Sequence, residues 1–191
     1  GKHYQLCPWQ ETDKKINYRR FFLVNGLICT NIHLDDVFNH YHQLTGELCK
    51  KNVFQGLRVD HIDGLYDPTK YLRDLRRLAG QQCYIIVEKI LEPGEQMPPQ
   101  WPVQGNSGYD FLGLVNNLFT EPDAEPSLTA FYRNLAKKPE SVAQQLEEKK
   151  SSILNNQMAG ELDNLVRLYR NVSKKNNTSE NELRTEIENY L

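Results

Sequence analysis

Two strand-like apolar runs end on an acidic residue, Asp60 in Gly56-Leu57-Arg58-Val59-Asp60-His61 and Glu88 in Tyr84-Ile85-Ile86-Val87-Glu88-Lys89, with one helix-length segment between them. Strands of a parallel sheet covered on both faces read as continuous apolar runs, so a charge at the finish of such a run is costly unless it faces a site. A strand, helix, strand step brings both endings to the same edge of one sheet, which is how a parallel α/β barrel presents side chains at its carboxyl face. The pattern therefore predicts α/β architecture. A complete (β/α)8 TIM barrel takes about 250 residues, and this chain has 191. The expectation is a partial (β/α)8 TIM-barrel fragment followed by a mainly helical insertion, with 1–110 as barrel segment and 111–191 as helical subdomain. The opening Gly1-Lys2-His3-Tyr4 has neither an initiating Met nor a signal-like leader, which fits a piece of a larger protein.

Periodicity fills in the elements. The first fifteen residues read as a connecting loop, and the dense apolar stretch 21–32, interrupted by Asn25-Gly26, fits either a strand with a turn or a short helix. From Leu34 to Lys51 the pattern is helical, with Val37, Phe38, Tyr41, Leu44 and Leu48 on one stripe and Asp35 and Asp36 in the first turn. A strand is expected over 53–60. Asp67-Pro68 then reads as N-cap and first helical residue, Tyr71, Leu72, Leu75 and Leu78 as one apolar face, and Gly80 as the helix stop. A second strand, 83–87, follows at once. The stretch 91–109 holds Pro93-Gly94, Pro98-Pro99, Trp101-Pro102 and Gly105-Asn106-Ser107-Gly108, too many breakers for regular structure, and reads as a long shaped loop beside Glu88. Beyond it only helices are expected, at 110–119, 128–136, 141–156, 160–171 and 179–191, with a polar loop at 173–178.

Composition removes whole classes of function. Lys and Arg number 23 against 25 Asp and Glu, so no global basic field invites nucleic acid or acidic lipid. Mean hydropathy is −0.67, and no apolar run approaches the roughly 20 residues that span a bilayer, so no membrane span is expected. Cys7, Cys29, Cys49 and Cys83 are scattered without a Cys-x-x-Cys pair, which argues against a zinc or redox site. The sequons at Asn171 and Asn176 matter only in a secreted protein, and with nothing directing secretion the expected location is the cytoplasm. His33, Asp35, Asp36, His40 and His42 invite a metal reading, yet His40 and His42 point to different helix faces. They are taken as a solvated helix start with surface histidines, and neither metal nor cofactor is expected.

The carboxylates carry the chemistry. Neighbouring strands lie about 4.8 Å apart, and a retaining glycosidase holds its nucleophile and acid/base carboxylates about 5–5.5 Å apart. Arg58, two residues before Asp60, points to the same side of a strand and keeps that carboxylate ionised. Glu88, as general acid, is expected to have a raised pKa. The competing structural reading makes Asp60 a loop cap and pairs Glu88 with Lys89 or Arg58.

The words around these residues narrow the choice. Gly56-Leu57-Arg58-Val59-Asp60 resembles the nucleophile segment of the alpha-amylase superfamily, and Val87-Glu88-Lys89 resembles its acid/base segment. With Ile16-Asn17-Tyr18-Arg19-Arg20-Phe21-Phe22, Asp60-His61-Ile62-Asp63-Gly64-Leu65-Tyr66-Asp67-Pro68, Glu88-Lys89-Ile90-Leu91, Pro93-Gly94-Glu95 and Gly108-Tyr109-Asp110-Phe111, residues 4–172 look like the maltooligosyl trehalose synthase family. The resemblance implies an enzyme that isomerises the reducing-end α-1,4 bond of a maltooligosaccharide to an α,α-1,1 bond, with Asp60 as nucleophile and Glu88 as acid/base. It makes His61, Asp63, Lys89, Tyr109 and Arg19 candidate sugar contacts, and the 91–109 loop the wall of a closed pocket. Each of His61, Lys89 and Tyr109 also has a purely structural reading. The chain departs from the family pattern at Leu23 and Gly26, and at Asn106-Ser107 ahead of Gly108-Tyr109-Asp110. The third catalytic carboxylate, an Asp on a later barrel strand, has no place here, so the isolated chain is expected to be inactive.

Two other readings share these residues. One is a related α-glucan hydrolase, and the other a non-catalytic glucan-binding or structural fragment. The stripe Leu162, Leu165, Val166 and Tyr169 is either core packing or an interaction face, and bared apolar faces predict self-association of the fragment.

Overall fold

A computed structural model of the chain describes residues 6–136, 141–173 and 178–190. In chain order the elements are α1 (Thr12–Lys15), β1 (Arg20–Phe21), β2 (Val24–Ile28), α2 (Asp35–Lys50), β3 (Gly56–Val59), α3 (Pro68–Ala79), β4 (Tyr84–Val87), β5 (Gly105–Asn106), α4 (Tyr109–Asn117), α5 (Glu125–Leu135), α6 (Val142–Asn155), α7 (Ala159–Ser173) and α8 (Glu180–Glu188). Short 3-10 turns stand at Trp9–Glu11, Ile62–Gly64 and Pro122–Ala124. The architecture is mixed α/β. Packing divides the chain into one unit made of Gly1–Cys29 with Ser127–Leu191 and a second made of Thr30–Pro126, a different line from 1–110 and 111–191.

The second unit is built on a parallel sheet in the order β3-β4-β5. β3 and β4 pair in register, Gly56 with Tyr84 through Val59 with Val87, and α3 forms the crossover between them. Local sequence sets α3. Asp67 accepts the Lys70 backbone N–H at 2.8 Å, Pro68 opens the helix, and Gly80 ends it at φ 88°. Its apolar face buries Leu72 and Leu75 against Ile62, Ile85 and Val87 of the sheet side, each such side chain contributing about 1.5–3 kcal/mol.

Two expectations change here. The 91–109 stretch contains a strand, β5, which pairs with Ile86 and Val87 of β4. Two residues in a Gly-Asn-Ser-Gly run carry no strand pattern of their own, because β4 alone supplies their partners. On α2, Tyr41 and Leu44 are exposed, and the buried side is Phe38, His42 and Gly46. His42, expected at the surface, sits against Phe38, Tyr41 and Tyr71, with Nε2 3.1 Å from the Tyr71 hydroxyl. An imidazole's aromatic body packs well when its polar tip finds a partner.

In the first unit, the larger part of the ambiguous 21–32 stretch, up to Ile28, is an antiparallel hairpin of β1 and β2 that turns at Phe22 (φ 48°), ahead of Asn25-Gly26. Arg20 is its buried brace. Nε donates to Glu161 at 2.8 Å, Nη1 to Asp13 at 2.8 Å and to Asn25, and Nη2 to the Gln157 carbonyl at 2.6 Å. Gly160 lets α1 approach α7, since a Cβ there would lie 2.7 Å from the Asp13 carbonyl oxygen. Leu162 and Val166 of α7 pack on Leu183 and Ile187 of α8, so the amphipathic stripe serves core packing, with Leu165 left outside it. Ser141 and Ser179 each start their helix with a capping box. Asn176, and most of the 173–178 loop, lie outside the described residues. The four cysteines are free thiols, and no helix is long and apolar enough to cross a membrane among the described residues.

Candidate functional site

The register Val59 opposite Val87 carries one residue further, so Asp60 and Glu88 leave adjacent parallel strands side by side, and the Glu88 N–H donates to the Val59 carbonyl at 2.7 Å. The chain then turns through His61 in the left-handed region, φ 53° and ψ 44°. That turn aims the His61 backbone N–H at Glu88 Oε2, 2.8 Å away. The imidazole lies over Gly64, where a Cβ would stand 2.1 Å from its Cδ2. Asp60 is exposed, with Arg58 Nε 2.9 Å from its Oδ1.

The other oxygen of Glu88 is held from downstream. Ser107 N–H donates to the Val87 carbonyl at 2.9 Å, Asn106 Oδ1 accepts the Gly108 N–H at 2.8 Å, and Gly108 (φ 86°) starts α4. Tyr109 thereby stands on the first turn of α4, and its hydroxyl donates to Glu88 Oε1 at 3.1 Å. The Glu88 carboxyl is held below the usual carboxylate range, first by the His61 N–H and then by the Tyr109 hydroxyl. This reverses the expected upward shift. Such a rise needs burial or a neighbouring anion, whereas here two donors favour the ionised form. The same contact raises the Tyr109 phenol.

Lys89 does not neutralise Glu88. Its ammonium lies 2.8 Å from Glu95 and 3.4 Å from Asp63, and its pKa is raised, chiefly by Glu95. Glu95 closes a turn in which its N–H donates to the Glu92 carbonyl at 2.9 Å, with Pro93 and Gly94 (φ 86°) at the two central positions. That is the type II pattern, which requires a positive φ at its third residue. Arg19 stands in the first unit, exposed, its carbonyl accepting the Cys29 N–H at 2.9 Å. Among the described residues no group of three or more His, Cys, Asp or Glu could hold a metal ion.

Arg76 and Gln104 were missed by sequence reasoning. Arg76, on the buried side of α3, donates from Nε to the Pro102 carbonyl at 2.9 Å, from Nη1 to the Gly80 carbonyl at 3.1 Å, and from Nη2 to Gln104 Oε1 at 3.0 Å. Gln104 Oε1 also accepts the Ile85 N–H at 2.6 Å. Trp101 packs on Ile62, Leu72 and Val87 with its indole N–H donating to Thr69 at 3.0 Å. The 101–104 segment is therefore sewn onto β4 and α3, which fixes where β5, and after it Tyr109, can lie. One sequence signal was available: Arg76 falls four residues after Leu72, on the helix's apolar side.

No family model matches the chain. Proteins named as maltooligosyl trehalose synthases in Mycobacterium tuberculosis strains CDC 1551 / Oshkosh and ATCC 25618 / H37Rv are each 34% identical over 166 residues, 87% of this chain and 21% of the relative. The solved structure of maltooligosyltrehalose synthase from Arthrobacter ramosus superposes with a TM-score of 0.82 at 38% identity, covering 86% of this chain and 22% of that one. A structure of DSM5389 glycosyltrehalose synthase gives 0.78 at 39% identity, covering 88% and 22%. The chain thus spans about a fifth of the length of these relatives.

Proposed function

The chain belongs to the maltooligosyl trehalose synthase family, and from that premise we propose that it supplies two of three catalytic carboxylates to an intramolecular glucosyltransferase acting on maltooligosaccharides. The observation that carries the reading is the in-register exit of Asp60 and Glu88 from adjacent parallel strands. The roughly 4.8 Å strand spacing is compatible with the carboxylate separation of a retaining mechanism, about 5–5.5 Å. Asp60, paired with Arg58, attacks the anomeric carbon of the glucosyl unit next to the reducing end, while Glu88 gives its proton to the departing glycosidic oxygen. The freed glucose stays bound. Its own anomeric hydroxyl then attacks the glycosyl enzyme, returns the proton to Glu88, releases Asp60 and leaves an α,α-1,1 bond. Water must be kept from that intermediate. The third carboxylate and the rest of the pocket come from outside this chain, so the chain alone is inactive.

We assign His61 and Tyr109 to the sugar side of the site. Asp63 and Lys89 line its floor. An ammonium has three donors, and Lys89 spends two on Asp63 and Glu95, leaving one for a sugar hydroxyl. The α3 crossover between β3 and β4 supports reading this part as a segment of a (β/α)8 barrel, with the later helices as an insertion and the functional boundary near residue 110. Four free thiols fit a cytoplasmic enzyme.

The test is a reducing-end assay of the full-length protein on maltopentaose, with Asp60→Asn as control. Loss of reducing ends that the substitution abolishes supports the isomerase. A gain makes the protein a hydrolase of the same superfamily, and no change favours a non-catalytic glucan-binding segment.

A further inference from the structure

We infer that Glu88 carries its exchangeable proton on Oε1, the oxygen facing Tyr109, and that Tyr109 is a positioning residue serving both protonation states of Glu88; the catalytic half of this inference rests on the function proposed above. The two oxygens are held by chemically different partners. Oε2 accepts a backbone N–H from His61, 2.8 Å away, and an amide N–H only donates. A proton placed on Oε2 would weaken that contact, because a protonated hydroxyl oxygen is a poorer acceptor than the bare oxygen it replaces. The His61 N–H cannot easily turn away, because its direction is set by a left-handed backbone and a ring seated over Gly64.

Oε1 meets a hydroxyl instead, 3.1 Å away. A phenol donates or accepts by rotating its O–H, so Tyr109 can donate to the carboxylate and accept from the acid without either side chain moving. Its position is tied to the strand that bears Glu88. Ser107 bonds the Val87 carbonyl, and the Asn106-to-Gly108 contact sets the start of α4. The other charged groups acting on this pair are Arg58 and His61 on Glu88, and Arg58 and Asp60 on Tyr109. Arg58 is bonded to Asp60, and the partners that hold the two oxygens of Glu88 are the His61 N–H on Oε2 and the Tyr109 hydroxyl on Oε1. The proton that reaches the glycosidic oxygen thus leaves from the Tyr109 side.

Glu88→Gln in this chain mimics the protonated acid at neutral pH. Its carbonyl oxygen should keep the His61 N–H while its NH2 faces the Tyr109 oxygen. Amide hydrogen exchange at His61 is then expected to stay within about threefold of the unsubstituted chain, whereas exposure of that amide overturns the inference. In Tyr109→Phe, a 13C carboxyl titration should show Glu88 rising toward the ordinary carboxylate range; an unmoved titration overturns it too. In the full-length protein Tyr109→Phe should lower kcat by roughly tenfold to a hundredfold, part of the gain from positioned general acid catalysis, with KM little changed. A raised KM at unchanged kcat would make Tyr109 a plain sugar contact and sink the positioning role. The exchange and titration arms need no turnover, so an active Asp60→Asn protein would remove the proposed function without touching the proton assignment.

Discussion

Lys89 and Glu88 are neighbours in sequence with separate electrostatic lives. Adjacent residues leaving a strand point to opposite sides, so Glu88 meets donors from His61 and Tyr109, while Lys89 meets Asp63 and Glu95. A separation of this kind can be measured. Lys89→Met is expected to destabilise the chain by less than about 1 kcal/mol, because Asp63 and Glu95 are exposed enough to be rehydrated when the half-buried ammonium is removed. It should speed amide exchange across 92–95, where the Glu95 side chain anchors the turn, and leave the Glu88 titration where it is. A Glu88 pKa that climbs in this variant would show that Lys89 neutralises it after all. The nucleophile and acid candidates were legible from sequence because a charge closing an apolar run is conspicuous. The sign of the Glu88 shift was not, since it depends on a backbone N–H and a phenol whose positions follow from residues further along the chain.

At the level of elements, α3 is the hinge of the second unit's stability. Arg76 is nearly buried and bonds carbonyls and an amide. Arg76→Met should cost on the order of 1–3 kcal/mol in urea denaturation, the penalty of leaving buried acceptors unmatched, and should loosen the 101–104 segment before the sheet itself opens. The α2–α3 contact adds a pH dependence. Burial lowers the His42 pKa below its ordinary 6.5, so the folded state favours neutral imidazole and the unfolded chain binds the proton first. Stability from this group is therefore fully present above about pH 6.5 and is lost as pH falls toward the depressed folded value. The urea midpoint should drop between pH 7 and 5, and His42→Asn should flatten that drop; an equal slope in both proteins would refute the assignment. Tyr71, at about 12 and raised mainly by burial, stays protonated throughout. Helix bounds were readable because caps and breakers are local, as at Asp67-Pro68, Gly80, Ser141 and Ser179. The buried side of α2 was not, because Tyr41 and Leu44 suit a buried face as well as His42 and Gly46 do, and packing on α3 chose between them.

Across the whole molecule, large apolar side chains remain uncovered. On α4, Phe111 and Leu114 are exposed, and just beyond it so are Leu118 and Phe119, the latter 88% exposed. Contiguous apolar surface of this kind marks an interface, consistent with a chain that spans a fifth of its relatives. The isolated chain is expected to self-associate, with a sedimentation coefficient that rises with concentration and with added sulfate, and Phe119→Glu should shift it toward monomer. A concentration-independent monomer would count against the proposal. By itself the sequence determined the strand, helix, strand step, the two ends of α3, the starts of α6 and α8 and the two candidate carboxylates, because apolar period, capping chemistry and a charge at the end of a strand all act within a few residues. Only the tertiary structure decided that Gly105-Asn106 is a strand, that His42 is buried, that Arg76 ties the loop down and that Tyr109 and His61 divide the two oxygens of Glu88. Each of these depends on a partner brought from far along the chain, and hydrogen bonds and burial between such partners have no local signature.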